Sequence, residues 1–499
     1  MIILLLAGSI AIAETPATTE ARALVSTWAE YGDETRPDRS LGWWKGIDDP
    51  GLQEVLKVGL SDNPDLLAAE ARVQLARAGT WQSVANLLPN IYFELASQKA
   101  PTDAMGLNPM TANMPDYGEI FESLGAMLAD ITAATGGDPT SLPNFSADSG
   151  NDMPDTYTQS SAMLKGSLAV DIFGRQTMSA FAASKTAQAT AASRDAMTQS
   201  LAVQIGSAWY DLVAARKQVQ IVEEQVSAGK EMLEIIQLRY ERGEGSALDV
   251  FQQRQQVAST EILLPKVRLG SKQAHQRLSI ALGKAPDAEL PQSDKLPKVP
   301  PAPAIGSSDR LVTDRADVQA AIDTLDSARL QRGSAIASLA PTVTLTGQYG
   351  RQYLTLDETD HVDSWGLGAA ASVPLFGGGR THAGIKAAKA NRDIAQMGLR
   401  SQILSAIQQI ESAIENERAS AESLKAAERQ QLAATQAYTE SRSRYLEGLA
   451  PYINVLASQA AHQAAQLGLL DAQRSRIQAR IQLHGALGGT WNRSPENSP

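Results

Sequence analysis

Between residues 174 and 242 the chain runs for roughly 68 residues with no proline and one unbroken apolar period. Ile205, Leu212, Val219, Val226, Leu233 and Tyr240 recur every seven residues. Ala208, Ala215, Val222, Gly229 and Ile236 follow the first five of these by three. Such a heptad is a coiled-coil seam, and its small residues let neighbouring helices approach closely. At 1.5 Å per residue the helix spans about 100 Å, more than one compact domain can house.

The same pattern returns later in the chain. Arg239, Tyr240, Gly243 and Asp249-Val250 are matched by Arg444, Tyr445, Gly448 and Asn454-Val455 at an offset of 205. Ala281-Leu282-Gly283 matches Ala486-Leu487-Gly488 at the same offset, and Phe173-Gly174 matches Phe376-Gly377 at 203. Upstream, Asp65 and Pro89 match Asp317 and Pro341 at 252. The chain is thus one unit written twice. The drop in offset from 252 to 203 gives the first copy about 49 extra residues between Pro89 and Phe173.

Each copy also carries two stretches in which the apolar period changes to two, the signature of strands. Ile91, Phe93 and Leu95 alternate with Tyr92 and Glu94, and Val343 and Leu345 with Thr342, Thr344 and Thr346. Before each Phe-Gly pair, Leu164, Leu168, Val170 and Ile172 alternate with Lys165, Ser167 and Asp171, while Trp365, Leu367 and Val373 alternate with smaller residues. These read as half-buried strands of about ten residues, the length a tilted strand needs to cross a bilayer. Four strands cannot close a barrel, and an open edge in lipid leaves backbone groups unpaired at several kcal/mol each. Closure therefore requires several chains. Three would give twelve strands around an aqueous lumen, whereas two would give eight, a barrel usually filled by its own side chains.

The expected organisation follows. Residues 1–13, apolar and ending in Ala11-Ile12-Ala13, read as a signal peptide, although the usual basic start is missing. The first repeat, 14–283, holds a short helix near 62–87, a strand, a long extracellular loop at 99–160, a second strand, the long helix 174–242 and a helix at 246–283. Pro265 should kink that last helix. Residues 284–313, with six prolines, form a linker wrapping the middle of the helical body. The second repeat, 314–491, holds a helix, strands at 342–350 and 364–376, the long helix 378–447 and a helix at 451–487, and a tail occupies 492–499. In each copy the two shorter helices together match the long one in length and can stack end to end along it. Within the long loop, 117–133 reads as a helix, and the loop as a whole is expected at the extracellular mouth, folded over the exit.

Composition removes most chemistry. The chain has 499 residues, a formal charge of −11, no cysteine and five histidines. Its acidity argues against nucleic acid as a partner. The missing cysteines exclude thiol catalysis, disulfides, zinc-thiolate sites and a lipoprotein anchor. No two histidines share metal-binding helical spacing, and Gly377-Gly378-Gly379-Arg380 lacks the residues that complete a phosphate loop. No catalytic residue, metal site or cofactor is expected, and the chain is not read as an enzyme.

Trp43-Trp44 with Asp49-Pro50, Asn63-Pro64-Asp65-Leu66, Ala71-Arg72-Val73, Val373-Pro374-Leu375-Phe376-Gly377 and the two Arg-Tyr…Gly tips resemble the TolC-like outer membrane factors, most of all the branch serving RND-type efflux pumps. The resemblance runs from about residue 41 to 491. It implies a mixed α and β membrane protein. Three copies would form a homotrimeric, twelve-stranded outer-membrane β-barrel, four strands per chain, continuous with a long periplasmic α-helical barrel of coiled-coil hairpins. Its implied function is the passive duct of a tripartite efflux system, working with a periplasmic adaptor (membrane fusion protein) and an inner-membrane RND-type pump.

On this resemblance Arg239, Tyr240, Gly243, Arg444, Tyr445 and Gly448 stand at the periplasmic tips where the adaptor docks, and Asp249, Gln252, Asn454 and Ala457 at the periplasmic entrance. Asn454 and Ala457 occupy places where some members carry acids; Asp249 alone keeps one. Three copies of Asp249 would ring the pore and favour cations, while the same carboxylate also suits the first turn of its helix. Two other functions fit the same sequence less closely. One is the outer channel of a type I protein secretion system, with an ABC transporter as partner. The other is a soluble periplasmic coiled-coil scaffold or adaptor, which leaves four bilayer-length strands unexplained.

Overall fold

The computed structural model describes residues 16–28, 42–101, 156–293, 295–300, 312–355 and 359–488. Thus the expected signal peptide, nearly all of the long loop with its expected helix, and the C-terminal tail lie outside the described residues. The described chain forms two units: a sheet unit within Val84–Phe173 and Leu339–Leu375, and a helical unit from the remainder.

In the sheet unit, β1 (Asn90–Pro101), β2 (Thr156–Val170), β3 (Thr342–Thr355) and β4 (Thr359–Ser372) form one antiparallel sheet in chain order. Both strands of each copy are longer than their apolar alternation alone indicates, reaching 12 to 15 residues. Pairing continues past the apolar residues into polar ones such as Ser97 opposite Ser160 and Tyr353 opposite His361.

The register sorts the side chains. Phe93 stands opposite Leu164, Leu164 opposite Tyr349, and Tyr349 opposite Trp365, so one face carries a band of large apolar residues from all four strands. Tyr92, Lys165, Gln348 and Gly366 are the matching row on the other face, where Lys165 pairs with Glu94 at 2.7 Å. The apolar face is not half-buried, as alternation suggests for a soluble sheet: Leu95 is 72% and Leu367 84% exposed. An apolar band of this extent facing outward suits hydrocarbon, not water.

The helical unit contains α1 (Pro16–Trp28), α2 (Pro50–Asp62), α3 (Pro64–Ala85), α4 (Arg175–Glu241), α5 (Ala247–Glu261), α6 (Leu263–Ala281), α7 (Ala316–Ala337), α8 (Arg380–Leu446) and α9 (Tyr452–Ala486). The two long helices, α4 and α8, are each 67 residues. One expectation needs correcting: the stretch 246–283 is two helices, α5 and α6, meeting at Ile262. Pro265 has no N–H to offer the Glu261 carbonyl and its ring crowds that group, which ends α5 there. Helix α9, with no internal proline, runs unbroken for 35 residues.

The short helices meet end to end. Asn63 Oδ1 accepts from Asp65 N at 2.9 Å, capping α3, while its Nδ2 donates to Ala281 O at 3.0 Å, the last carbonyl of α6. At the equivalent place in the second copy, Arg315 Nη1 donates to Ala486 O at 2.7 Å. A second device holds α2 on α4: Asp49 caps α2 through Leu52 N at 3.1 Å and accepts from the buried Trp209 Nε1 at 2.9 Å. Leu52, Leu56, Ile205, Trp209 and Leu278 build the core there, and Leu290, Leu296 and Val299 of the proline-rich linker pack against it. A second core joins α1, α7, α8 and the end of α9 through Val25, Leu325, Ile403, Ile410 and Leu483.

Candidate functional site

The two tips at which a long helix reverses are built alike. After α4, Gly243 N donates to Tyr240 O at 2.9 Å and Glu244 N to Arg239 O at 2.9 Å; after α8, Gly448 N donates to Tyr445 O at 3.0 Å and Leu449 N to Arg444 O at 2.8 Å. These paired bonds form a helix-ending motif that requires a left-handed residue, and Gly243 and Gly448 have φ of 79° and 77°. Around both glycines there is open space where a side chain would begin, so backbone conformation alone demands them.

The tyrosines then part company. Tyr240 is 50% exposed, whereas Tyr445 is 5% exposed and belongs to a small core with Met232, Ile236, Val250, Tyr452 and Val455. Its hydroxyl donates to Asp249 Oδ2 at 3.2 Å, its ring stands edge-on to Tyr452 at 5.2 Å, and the Arg239 guanidinium lies over it at 5.1 Å. Arg239 also donates to Leu446 O at 2.6 Å, so the first tip's arginine closes the second tip's last turn. Burial, reinforced by Asp249, pushes the Tyr445 hydroxyl up to about 12. It therefore stays a donor throughout the physiological range.

Of the expected entrance residues, the structure brings Asp249 into this cluster and leaves Gln252, Asn454 and Ala457 out of it. Asn454 and Ala457 are exposed on α9, and Gln252 sits half-buried on α5. Arg444 lies apart as well, paired with Glu440 at 2.7 Å on the exposed side of α8. The residues that sequence reasoning misses are Gln253 and Tyr452. Gln253 is fully buried; it accepts from the Tyr452 hydroxyl and donates through Nε2 to Gly229 O at 2.7 Å. The available signal was Gly229 in the heptad seam, where a missing side chain leaves a carbonyl within reach. Higher up the same interface, Gln225 Nε2 reaches Gln466 Oε1 at 2.8 Å. Buried polar side chains thus tie the α4–α5 hairpin to the α8–α9 hairpin, as polar residues fix register in a coiled coil. Among the described residues no cluster of His, Asp or Glu could hold a metal ion.

Comparison with known proteins agrees with this architecture. The family model described as outer membrane efflux protein matches residues 55–284 and 308–489. The pyoverdine export outer membrane protein OpmQ of Pseudomonas aeruginosa is 25% identical over 484 residues, 96% of this chain and 94% of OpmQ. Nodulation protein T of Rhizobium leguminosarum is 25% identical over 58% of this chain, which spans 62% of that protein. The outer-membrane channel OprN superimposes with a TM-score of 0.75 at 22% identity over 96% of both chains. The Campylobacter jejuni channel CmeC gives 0.75 at 18%, over 94% of this chain and 91% of its own. With its duplicated hairpins, four-stranded sheet and matching model over both repeats, the chain belongs to the outer membrane efflux protein family.

Proposed function

We propose that three copies of this outer-membrane protein assemble into one export duct of a tripartite efflux system. A periplasmic adaptor would dock at the tips that carry Arg239, Tyr240, Gly243, Arg444, Tyr445 and Gly448, and an RND-type inner-membrane pump would supply the energy. The observation that carries this reading is the sheet: β1 and β4 each leave one edge unpaired among the described residues, while one face carries an exposed apolar band. In lipid such edges must be paired, and an identical chain offers the complementary strand.

The helices support the same assembly. In the second copy α7 packs between α4 and α8. Its first-copy counterpart, α3, leaves Leu75 and Trp81 exposed, and α8 leaves Ile394 and Met397 exposed. A neighbouring chain's α8 laid against α3 would repeat the arrangement already present within one chain. Asp249, Gln252, Asn454 and Ala457 would then recur three times around the periplasmic entrance. Export of small molecules is favoured by OpmQ, a relative along nearly its whole length that is named for pyoverdine export.

The deciding experiment is the mass of detergent-extracted protein from an isolated outer-membrane fraction, with bound detergent subtracted. Three times the chain mass is expected. A monomer or dimer in the soluble periplasm would overturn the duct.

A further inference from the structure

The ends of the helical unit joined to the strands have an unusual charge. In a chain of net charge −11, α3 carries Arg72 and Arg77, the opening of α4 Arg175 and Lys185, and the close of α7 Arg329 and Arg332. The opening of α8 adds Arg380, Lys386, Lys389 and Arg392. Across 71–85, 175–193, 327–337 and 380–392 there is no Asp or Glu at all.

Part of this charge is neutralised within the chain: Lys185 pairs with Asp323, Arg329 with Glu20, and Arg392 with Asp393. Arg380, Lys386 and Lys389 are exposed and have no carboxylate partner among the described residues. Arg380 stands in the first turn of α8, where the helix dipole is positive and disfavours cations, so helix stability does not explain it. The acid-free stretches of the helix ends offer no carboxylate to neutralise the three cations, which leaves them open to an anionic ligand.

Chain connectivity says what lies nearby. Arg380 follows the last residue of β4 by eight positions. Between them Leu375 and Phe376 are 93% and 92% exposed, the most solvent-open large apolar side chains of the described chain. Exposed apolar and aromatic residues followed by cations make up the pattern of a segment seated at a membrane interface. We propose that Arg380, Lys386 and Lys389 form a collar that binds the phosphate headgroups of anionic phospholipids in the periplasm-facing leaflet. The inference rests on the outer-membrane placement of the strands but not on the duct or its partners.

The test uses the full-length protein in a non-ionic detergent. Phosphatidylglycerol and phosphatidylcholine of the same acyl chains are titrated in parallel, and bound lipids are counted by native mass spectrometry. The wild type is expected to prefer phosphatidylglycerol at least five-fold, and R380Q/K386Q/K389Q to fall below two-fold. The charge-keeping R380K/K386R/K389R and the control K217Q/K230Q, two cations remote from the collar, should keep the preference. Inorganic phosphate at equal concentration should not displace the lipid. Should the triple Gln variant fail to fold, a salt titration of the wild type decides, since the preference must collapse as ionic strength rises. Absence of a headgroup preference, a preference unchanged by the triple substitution or by salt, or full displacement by free phosphate would each overturn the proposal. Because the readout is lipid selectivity, its failure is distinct from a failure of trimer or export.

Discussion

Tyr445 and Asp249 occupy places where the two halves of the chain are no longer copies. Asp249 is matched by Asn454, and the buried Tyr445 by the exposed Tyr240. One hydroxyl-to-carboxylate bond of 3.2 Å therefore links α8 to α5 without a symmetric partner. A bond to a charged acceptor contributes on the order of 1.5–3 kcal/mol when partly buried. Tyr445→Phe removes it while keeping the ring against Tyr452 and Arg239. The expected outcome is a tip that opens more readily, seen as a rise in single-channel conductance of the purified protein in a planar bilayer. A conductance equal to wild type would show that the bond does not hold the entrance. The pH dependence has a definite sign: because burial raises the folded-state value to about 12 from an ordinary 10, the unfolded chain loses its proton first. This tyrosine thus leaves stability unaffected below pH 10 and lowers it between about 10 and 12.

Among the elements, period and punctuation carried most of what could be read in advance. The seven-residue repeat marks α4, and glycine marks both reversals, because each is a local backbone property that a single stretch of chain expresses. The Pro265 kink was legible; its sharpness, enough to divide α5 from α6, was not, since it depends on how the Glu261 carbonyl is placed. The Asp49–Trp209 bond, spanning 160 positions, and the buried Gln253 left no periodic trace. The linker is another such case. Its prolines exclude regular structure, but its attachment includes, besides apolar packing, one buried arginine from α9. Arg480 is bound to Glu417 on α8 and donates to the Pro300 carbonyl, while Arg476 approaches the same carboxylate at 2.7 Å. Removing Arg480 alone leaves Glu417 poorly compensated in a buried site, so Arg480→Met is expected to cost about 3–5 kcal/mol. The double variant R480M/E417L, which removes both charges, should recover most of that loss. Thermal unfolding in detergent measures both, and equal losses for the single and double variants would refute the ion-pair account. Faster proteolysis within residues 284–313 of the single variant would locate the damage at the strap.

For the molecule as a whole, duplication supplies the architecture and divergence supplies the function. The repeated features, two 67-residue helices and two strand pairs, are those that three copies would set in a closed ring. The clearest unrepeated feature is the pair of unequal tyrosines at the tips. If Tyr445 fastens the tip internally, the outward Tyr240 is left free to meet the adaptor. Its ring is half exposed at the last turn of α4 and makes no contact in the small core beneath. An exposed tyrosine beside a glycine turn is well suited to anchor a partner, because it offers a large apolar area at little entropic cost. Tyr240→Ala should therefore leave the assembled mass and thermal stability unchanged and reduce adaptor affinity by about 2 kcal/mol, roughly thirty-fold. The matching change in a cell lacking the native gene is loss of complementation in a drug-susceptibility assay despite normal amounts of protein in the outer membrane. Tyr445→Ala should do the reverse, lowering tip stability first and export only as a consequence. If both substitutions behaved alike, the two tips would be equivalent in use as well as in origin, and the division of labour argued from their burial would be wrong.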